Sequence, residues 1–191
     1  MRRNGIFASL ALLAVVAALF VIKARAADTP AAPAPLAVGT TAPNFTLPSQ
    51  ENKLVSLSAY KGQWVVLYFY PKDMTKGCTI EAHNFQRDQD KYTALHAAIL
   101  GVSLDTPDSH QTFCTKENLT FKLLADPDHK VVDMYAVPVN TRKDPNGGPS
   151  MQFASRWTYL INPQGKIAQV WTGVKPDGHS EEVLAALAAA K

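Results

Sequence analysis

Apolar positions along the chain fall into two patterns. Short continuous runs read as strands, and apolar residues repeating on one helical face read as helices. Trp64 to Tyr70 (Trp-Val-Val-Leu-Tyr-Phe-Tyr) is the strongest run. Its nearly unbroken apolar character predicts a strand covered on both faces. Ala98 to Leu104 predicts a second buried strand and Phe121 to Leu124 a short third. Asn44 to Leu47 and Leu54 to Leu57 are strand-like pieces split by polar Ser49 to Lys53, which predicts a hairpin. Arg156 to Ile161 and Lys166 to Trp171 are further strands, joined by the turn sequence Asn162-Pro163-Gln164-Gly165.

Between these strands the period changes. From Thr79 onward Ala82, Phe85, Tyr92 and Leu95 share one helical face. Thr106-Pro107-Asp108 is a helix start, with a cap residue, proline at the first helical position and then an acid. That helix carries Phe113 and Cys114. A short helix is expected from His129 to Tyr135, and a closing helix capped by Ser180. Residues 138–152 hold Pro138, Pro145, Gly147, Gly148 and Pro149 without periodicity, so a long loop is expected there. Strands alternating with helices, followed by a strand pair and a helix, indicate an α/β domain with a central mixed sheet flanked by helices. That order suits a thioredoxin-like fold.

The first 26 residues read as a signal peptide rather than as part of the fold. Arg2 and Arg3 form a positive start, Ile6 to Ile22 is an uncharged and mostly apolar run, and Ala24-Arg25-Ala26 fits the small-x-small cleavage pattern. The rival reading is an uncleaved membrane anchor, for which the run is at the lower length limit. Cleavage implies export, with a periplasmic location and no stable membrane association. Residues 27–37 are rich in Ala and Pro and read as a tether, so the folded domain is expected over 38–191. The net charge of +3 is set by the leader, because residues 1–26 carry four basic side chains and no acid. The remainder has 15 basic and 16 acidic side chains, and no basic stripe for nucleic acid survives.

The candidate chemistry lies in Pro71-Lys72-Asp73-Met74-Thr75-Lys76-Gly77-Cys78. A buried strand runs into a loop that delivers a cysteine to the start of a helix. Free backbone N–H groups and a partial positive charge at that place stabilise a thiolate, the reactive form of the thiol. Read from the residues alone, two cysteines in an exported chain are equally a structural disulfide.

The stretch Tyr68-Phe69-Tyr70-Pro71-Lys72-Asp73-Met74-Thr75-Lys76-Gly77-Cys78-Thr79-x-Glu81-Ala82 resembles the active-site signature of peroxiredoxins, and of the bacterioferritin-comigratory or PrxQ subfamily in particular. The similarity extends through Ala42-Pro43-x-Phe45-x-Leu47, Gly101-Val102-Ser103 and Arg156-x-Thr158-Tyr159-Leu160-Ile161. The resemblance implies a thiol-dependent peroxidase needing no cofactor and no metal. It makes Cys78 the peroxidatic cysteine, Thr75 the hydroxyl that orients the peroxide, and Pro71 the shield that shapes the loop. Arg156 becomes the cation beside the sulfur, oriented by Glu81.

Many members of the subfamily carry a resolving cysteine five residues after the first, where this chain has His83. Others resolve from the next helix, which implies that Cys114 closes a disulfide with Cys78, with unwinding of one or both helices. The implied partners are a hydroperoxide, hydrogen peroxide or organic, and a thioredoxin-like dithiol reductant. Tyr68, Tyr70 and Met74 are expected to tolerate an alkyl group near the site, and a monomer is expected. Competing functions are less well supplied. A disulfide oxidoreductase needs C-x-x-C, but Cys78 is followed by Thr79, Ile80 and Glu81. A copper-binding protein of this fold needs two close cysteines and a placed histidine, and a glutathione-peroxidase-like enzyme has a different signature. A non-enzymatic protein with a permanent disulfide stays open.

Overall fold

A computed structural model describes residues 33–190. The expected signal peptide, its cleavage pattern, most of the tether and Lys191 lie outside the described residues. The chain meets the folded body at Leu36, whose side chain packs on the core and whose N–H donates to the Tyr159 hydroxyl at 3.4 Å.

Nine strands and five helices follow in the described part. The hairpin expected near the start forms as β1 (Thr46–Pro48) and β2 (Leu54–Ser56), paired antiparallel. The central sheet contains β3 (Trp64–Phe69), β4 (Ala97–Ser103), β5 (Lys122–Ala125), β8 (Trp157–Ile161) and β9 (Ile167–Trp171), in the order β5-β4-β3-β8-β9. β3, β4 and β5 are parallel, while β8 and β9 run antiparallel to their neighbours. The sheet is therefore mixed, as the strand order implied.

Every residue of β3 is buried, which explains its continuous apolar run. Alternation sends Val65, Leu67 and Phe69 into one core layer and Trp64, Val66 and Tyr68 into the other. The first layer packs the β1–β2 hairpin and α4 (Lys130–Met134) against the sheet. The second packs α1 (Lys76–Arg87), α2 (Gln89–Ala94), α3 (Pro107–Glu117) and α5 (His179–Ala189). Both cysteines belong to this second layer. Gly101 in β4 has a packing reason, because a Cβ there would lie 2.6 Å from Tyr68 Cζ.

The structure departs from the sequence expectations at four places. The helix expected through Leu95 is two helices, broken at Asp88. This wholly buried carboxylate accepts hydrogen bonds from Arg87 Nε at 3.3 Å, Lys91 Nζ at 2.8 Å and Ser180 Oγ at 2.9 Å. A buried anion must be paired, and the helix bends to let this happen. α1 also starts at Lys76, three residues ahead of the apolar pattern. Ser180 does not cap α5; Gly178, at φ +76, takes that position and frees the Ser180 hydroxyl for Asp88. The expected loop over 138–152 contains a hairpin, β6 (Val139–Arg142) with β7 (Met151–Ala154). Its exposed positions are Asn140, Thr141, Arg142, Met151 and Gln152, mostly polar, so it leaves no apolar period. The Thr106 cap forms as expected, accepting from Ser109 N at 3.3 Å.

Candidate active site

β3 ends at Phe69 and the chain passes through half-buried Pro71 into a short loop. Proline cannot continue a ladder, so the strand stops there. The loop is moored to the end of β4 through Asp105, which accepts from Asp73 N at 2.9 Å, Lys72 Nζ at 3.1 Å and Ser103 Oγ at 2.8 Å. Met74 takes a left-handed backbone conformation at φ 57, uncommon for a residue with a side chain. Thr75 then opens α1.

Cys78 lies in the first turn of α1 and is 2% exposed. Thr75 does not cap the helix with its side chain; its hydroxyl donates to the Lys72 carbonyl at 3.0 Å. With that proton committed, the oxygen retains lone pairs for a donor such as a peroxide O–H. First-turn amides keep the partial positive charge of a helix N-terminus.

Arg156, just before β8, reaches the same point from across the sheet. Its Nη2 donates to Cys78 Sγ at 3.2 Å, and its Nη1 pairs with Glu81 Oε2. Burial works against the guanidinium charge, but the Glu81 carboxylate and the Cys78 sulfur outweigh it and hold its pKa above the ordinary value. Glu81 is 1% exposed, and burial pushes its carboxyl up to about 7 against the pull of Arg156. A fixed cation and a helix N-terminus converging on one sulfur suit a thiolate nucleophile and the negative charge of a departing oxygen.

Cys114 is reduced, 7% exposed, and shares its apolar layer with Cys78. Burial, reinforced by the nearby Asp73 charge, pushes its thiol up to about 12. So placed it is a protonated, unreactive thiol.

Cys78, Thr75, Arg156 and Glu81 are brought together, and Pro71 lies at the strand end that positions them. The expected apolar neighbourhood needs correction. Tyr68 and Tyr70 are each 1% exposed and stack on one another, so of the three residues only Met74 presents surface at the loop. Three polar residues were missed. Asp73, His110 and Asp105 sit in or behind the loop, and Asp73 Oδ2 is 2.9 Å from His110 Nδ1. Asp73 lies inside the quoted signature, which was the available signal. His110 is 37 positions away and had none.

A family model described as the AhpC/TSA family matches residues 38–170. Peroxiredoxin Bcp of Bacillus subtilis is 39% identical over 150 residues, which cover 78% of this chain and 94% of that protein. A solved structure of Xanthomonas campestris peroxiredoxin Q superposes with a TM-score of 0.68 at 36% identity, over 76% of this chain and 90% of that one. Another, of the bacterioferritin comigratory protein from Xanthomonas campestris, gives 0.69 at 35% identity, over 76% and 91%.

Proposed function

Because this chain belongs to the AhpC/TSA family and is a thiol-dependent peroxidase of the peroxiredoxin kind, we propose that Cys78 is its peroxidatic cysteine and Cys114 its resolving one. The observation that carries the assignment is the Arg156 hydrogen bond to Cys78 Sγ at 3.2 Å in the first turn of a helix.

The Cys78 sulfur attacks the terminal oxygen of a hydroperoxide. The O–O bond breaks, water or an alcohol departs with the proton, and Cys78 is left as a sulfenic acid. The Thr75 oxygen accepts from the peroxide and aligns it. Arg156 stabilises the negative charge as the bond breaks. Glu81 positions Arg156 without touching substrate. The Cys114 sulfur then attacks Cys78, the S–O bond breaks, and the thiol proton leaves with the oxygen as water. A thioredoxin-like dithiol returns both cysteines to thiols.

The substrates are hydrogen peroxide and organic hydroperoxides. Alkyl peroxide reduction is an activity of the Xanthomonas campestris bacterioferritin comigratory protein, and exposed Met74 offers apolar surface to an alkyl group here. The leader-like residues 1–26 support export to an oxidising compartment, where a dedicated dithiol donor is required. The domain acts as a monomer.

Intact mass tests the assignment, measured on reduced protein before and after one equivalent of hydrogen peroxide. Wild type is expected to lose two hydrogens. Cys114→Ser is expected to hold a trappable oxygen on Cys78. A wild type that takes up no oxidising equivalent at Cys78 would overturn it.

A further inference from the structure

Resting on that reading, we propose that Asp73, gripped by His110 and Ser109, is a latch that fastens the Cys78 loop to the Cys114 helix and sets the rate of disulfide formation. Asp73 belongs to the loop that delivers Cys78. His110 and Ser109 belong to α3, with His110 one helical turn before Cys114. The carboxylate accepts from Ser109 Oγ at 2.7 Å and from His110 Nδ1 at 2.9 Å on one oxygen, and from Tyr70 OH at 2.6 Å on the other. Asp73 is 6% exposed and His110 is wholly buried. Burial pushes the carboxyl up, but the bonds from His110, Tyr70 and Ser109 outweigh it and hold Asp73 below the ordinary range, so the acceptor is an anion. Charge-assisted bonds of this kind are the strong ones.

A disulfide needs the two Cα atoms within about 7 Å. Both cysteines are reduced. If the first turn of α1 unwinds, the loop carries Asp73 away from α3. If α3 unwinds, Ser109 and His110 leave Asp73. Either movement breaks the same buried bonds. Asp105 also holds the loop, through Asp73 N at 2.9 Å and Lys72 Nζ at 3.1 Å, but it anchors the loop to the end of β4 and not to α3 itself. The remaining side-chain ties on the α3 side are exposed ones. His83 Nε2 to Glu117 at 2.9 Å involves a histidine side chain 51% exposed, and the Gln86 amide meets Thr120 at the surface, with Thr120 N donating to Gln86 Oε1 at 2.7 Å.

A second observation bears on the opening of the latched layer. Among the described residues, the buried side-chain polar atoms without a hydrogen-bond partner are Tyr68 OH, Glu81 Oε1 and His110 Nε2. They lie on β3, α1 and α3, around the two cysteines. An unsatisfied buried group costs stability, and exposure to water on opening returns it. Opening also removes burial and the Asp73 charge from Cys114, the two influences that keep it a thiol.

Rapid-quench intact mass on the full chain resolves the two steps, first gain of one oxygen on Cys78 and then loss of water. In Ser109→Ala the ratio of the second rate constant to the first is expected to rise by about 10- to 100-fold, the worth of one hydrogen bond to a charged group. His110→Asn is expected to raise it further and to reduce over-oxidation of Cys78 to sulfinic acid at high peroxide. Val132→Ala, which cuts stability from the opposite layer, is expected to leave the ratio at the wild-type value. The latch is overturned if Ser109→Ala leaves the ratio unchanged or lowers it, or if Val132→Ala raises it equally. A wild type in which Cys78 never gains oxygen sinks the peroxidase assignment instead.

Discussion

On the face of the sheet away from the cysteines, buried tyrosines have their hydrogen bonds. Tyr135 donates to the Pro43 carbonyl at 2.7 Å, and Tyr159 donates to the Tyr135 carbonyl at 2.6 Å. On the cysteine face some groups are equally well served: Tyr92 donates to the Ser180 carbonyl at 2.7 Å. Tyr68, Glu81 and His110 nevertheless each keep a buried polar atom unpaired. Both layers cover the same strands with the same kinds of apolar residue, so packing does not explain the contrast. The unpaired atoms gather around the Cys78 sulfur, its arginine and the buried Cys114 thiol. Local rules of a fold are broken most often where chemistry needs them broken.

The hardest test of this contrast is removal of the charge that organises the cysteine face. Arg156→Met takes away the donor to Cys78 and the cation that offsets Glu81. Peroxide oxidation of Cys78 is expected to slow by about 10²- to 10³-fold, as when one stabilising donor is lost from an anionic transition state. Competition against a reference peroxidase at fixed peroxide reads the rate. A variant within about threefold of wild type would separate Arg156 from the chemistry.

A smaller effect concerns the carboxyl behind the arginine. Folding raises the Glu81 pKa from 4.5 to about 7, chiefly through burial. Between those values the unfolded chain has lost the proton that the folded chain retains, so stability falls as pH rises and levels off above 7. The full shift corresponds to about 3 kcal/mol. Glu81→Gln cannot ionise, so its stability relative to wild type is expected to improve across this window by up to that amount. Urea unfolding of both reduced proteins at about pH 5 and pH 8 measures the difference. A constant difference would mean that Arg156 keeps Glu81 ionised throughout.

Legibility in the sequence followed distance along the chain. The strand Trp64 to Tyr70, the Thr106 cap and the Cys78 loop were readable because each carries a local signal: an unbroken apolar run, a Thr-Pro-Asp start, and a proline that ends the strand shortly before a cysteine. The break at Asp88 was not, because its cause is Ser180, 92 positions away, together with two basic side chains whose roles look ordinary. The β6–β7 hairpin was hidden by its polar outer face. Arg156 was found only through family resemblance, since nothing local marks it as the partner of a sulfur 78 positions earlier. The Asp73–His110 pair was invisible for the same reason. A buried histidine and a buried aspartate carry no periodic signal, and only the fold brings them together.

The smallest predicted effect makes the contrast between the layers quantitative with the same chemical change on each side. Tyr→Phe removes a hydroxyl and little else. In Tyr159→Phe the lost hydroxyl is a satisfied one, donating to Tyr135 and accepting from Leu36 N. Stability is expected to fall by about 1 kcal/mol, the net worth of a typical hydrogen bond. In Tyr68→Phe the lost hydroxyl is buried and unpaired, so its removal deletes a desolvation cost with no bond to lose. Reduced Tyr68→Phe is therefore expected to equal wild type or gain up to about 1 kcal/mol in urea unfolding. Opposite signs from an identical substitution would establish that the cysteine layer keeps unsatisfied polarity which the other layer does not. Equal losses would mean that the Tyr68 hydroxyl is bonded in solution, and that the layer around the cysteines is as fully satisfied as its counterpart.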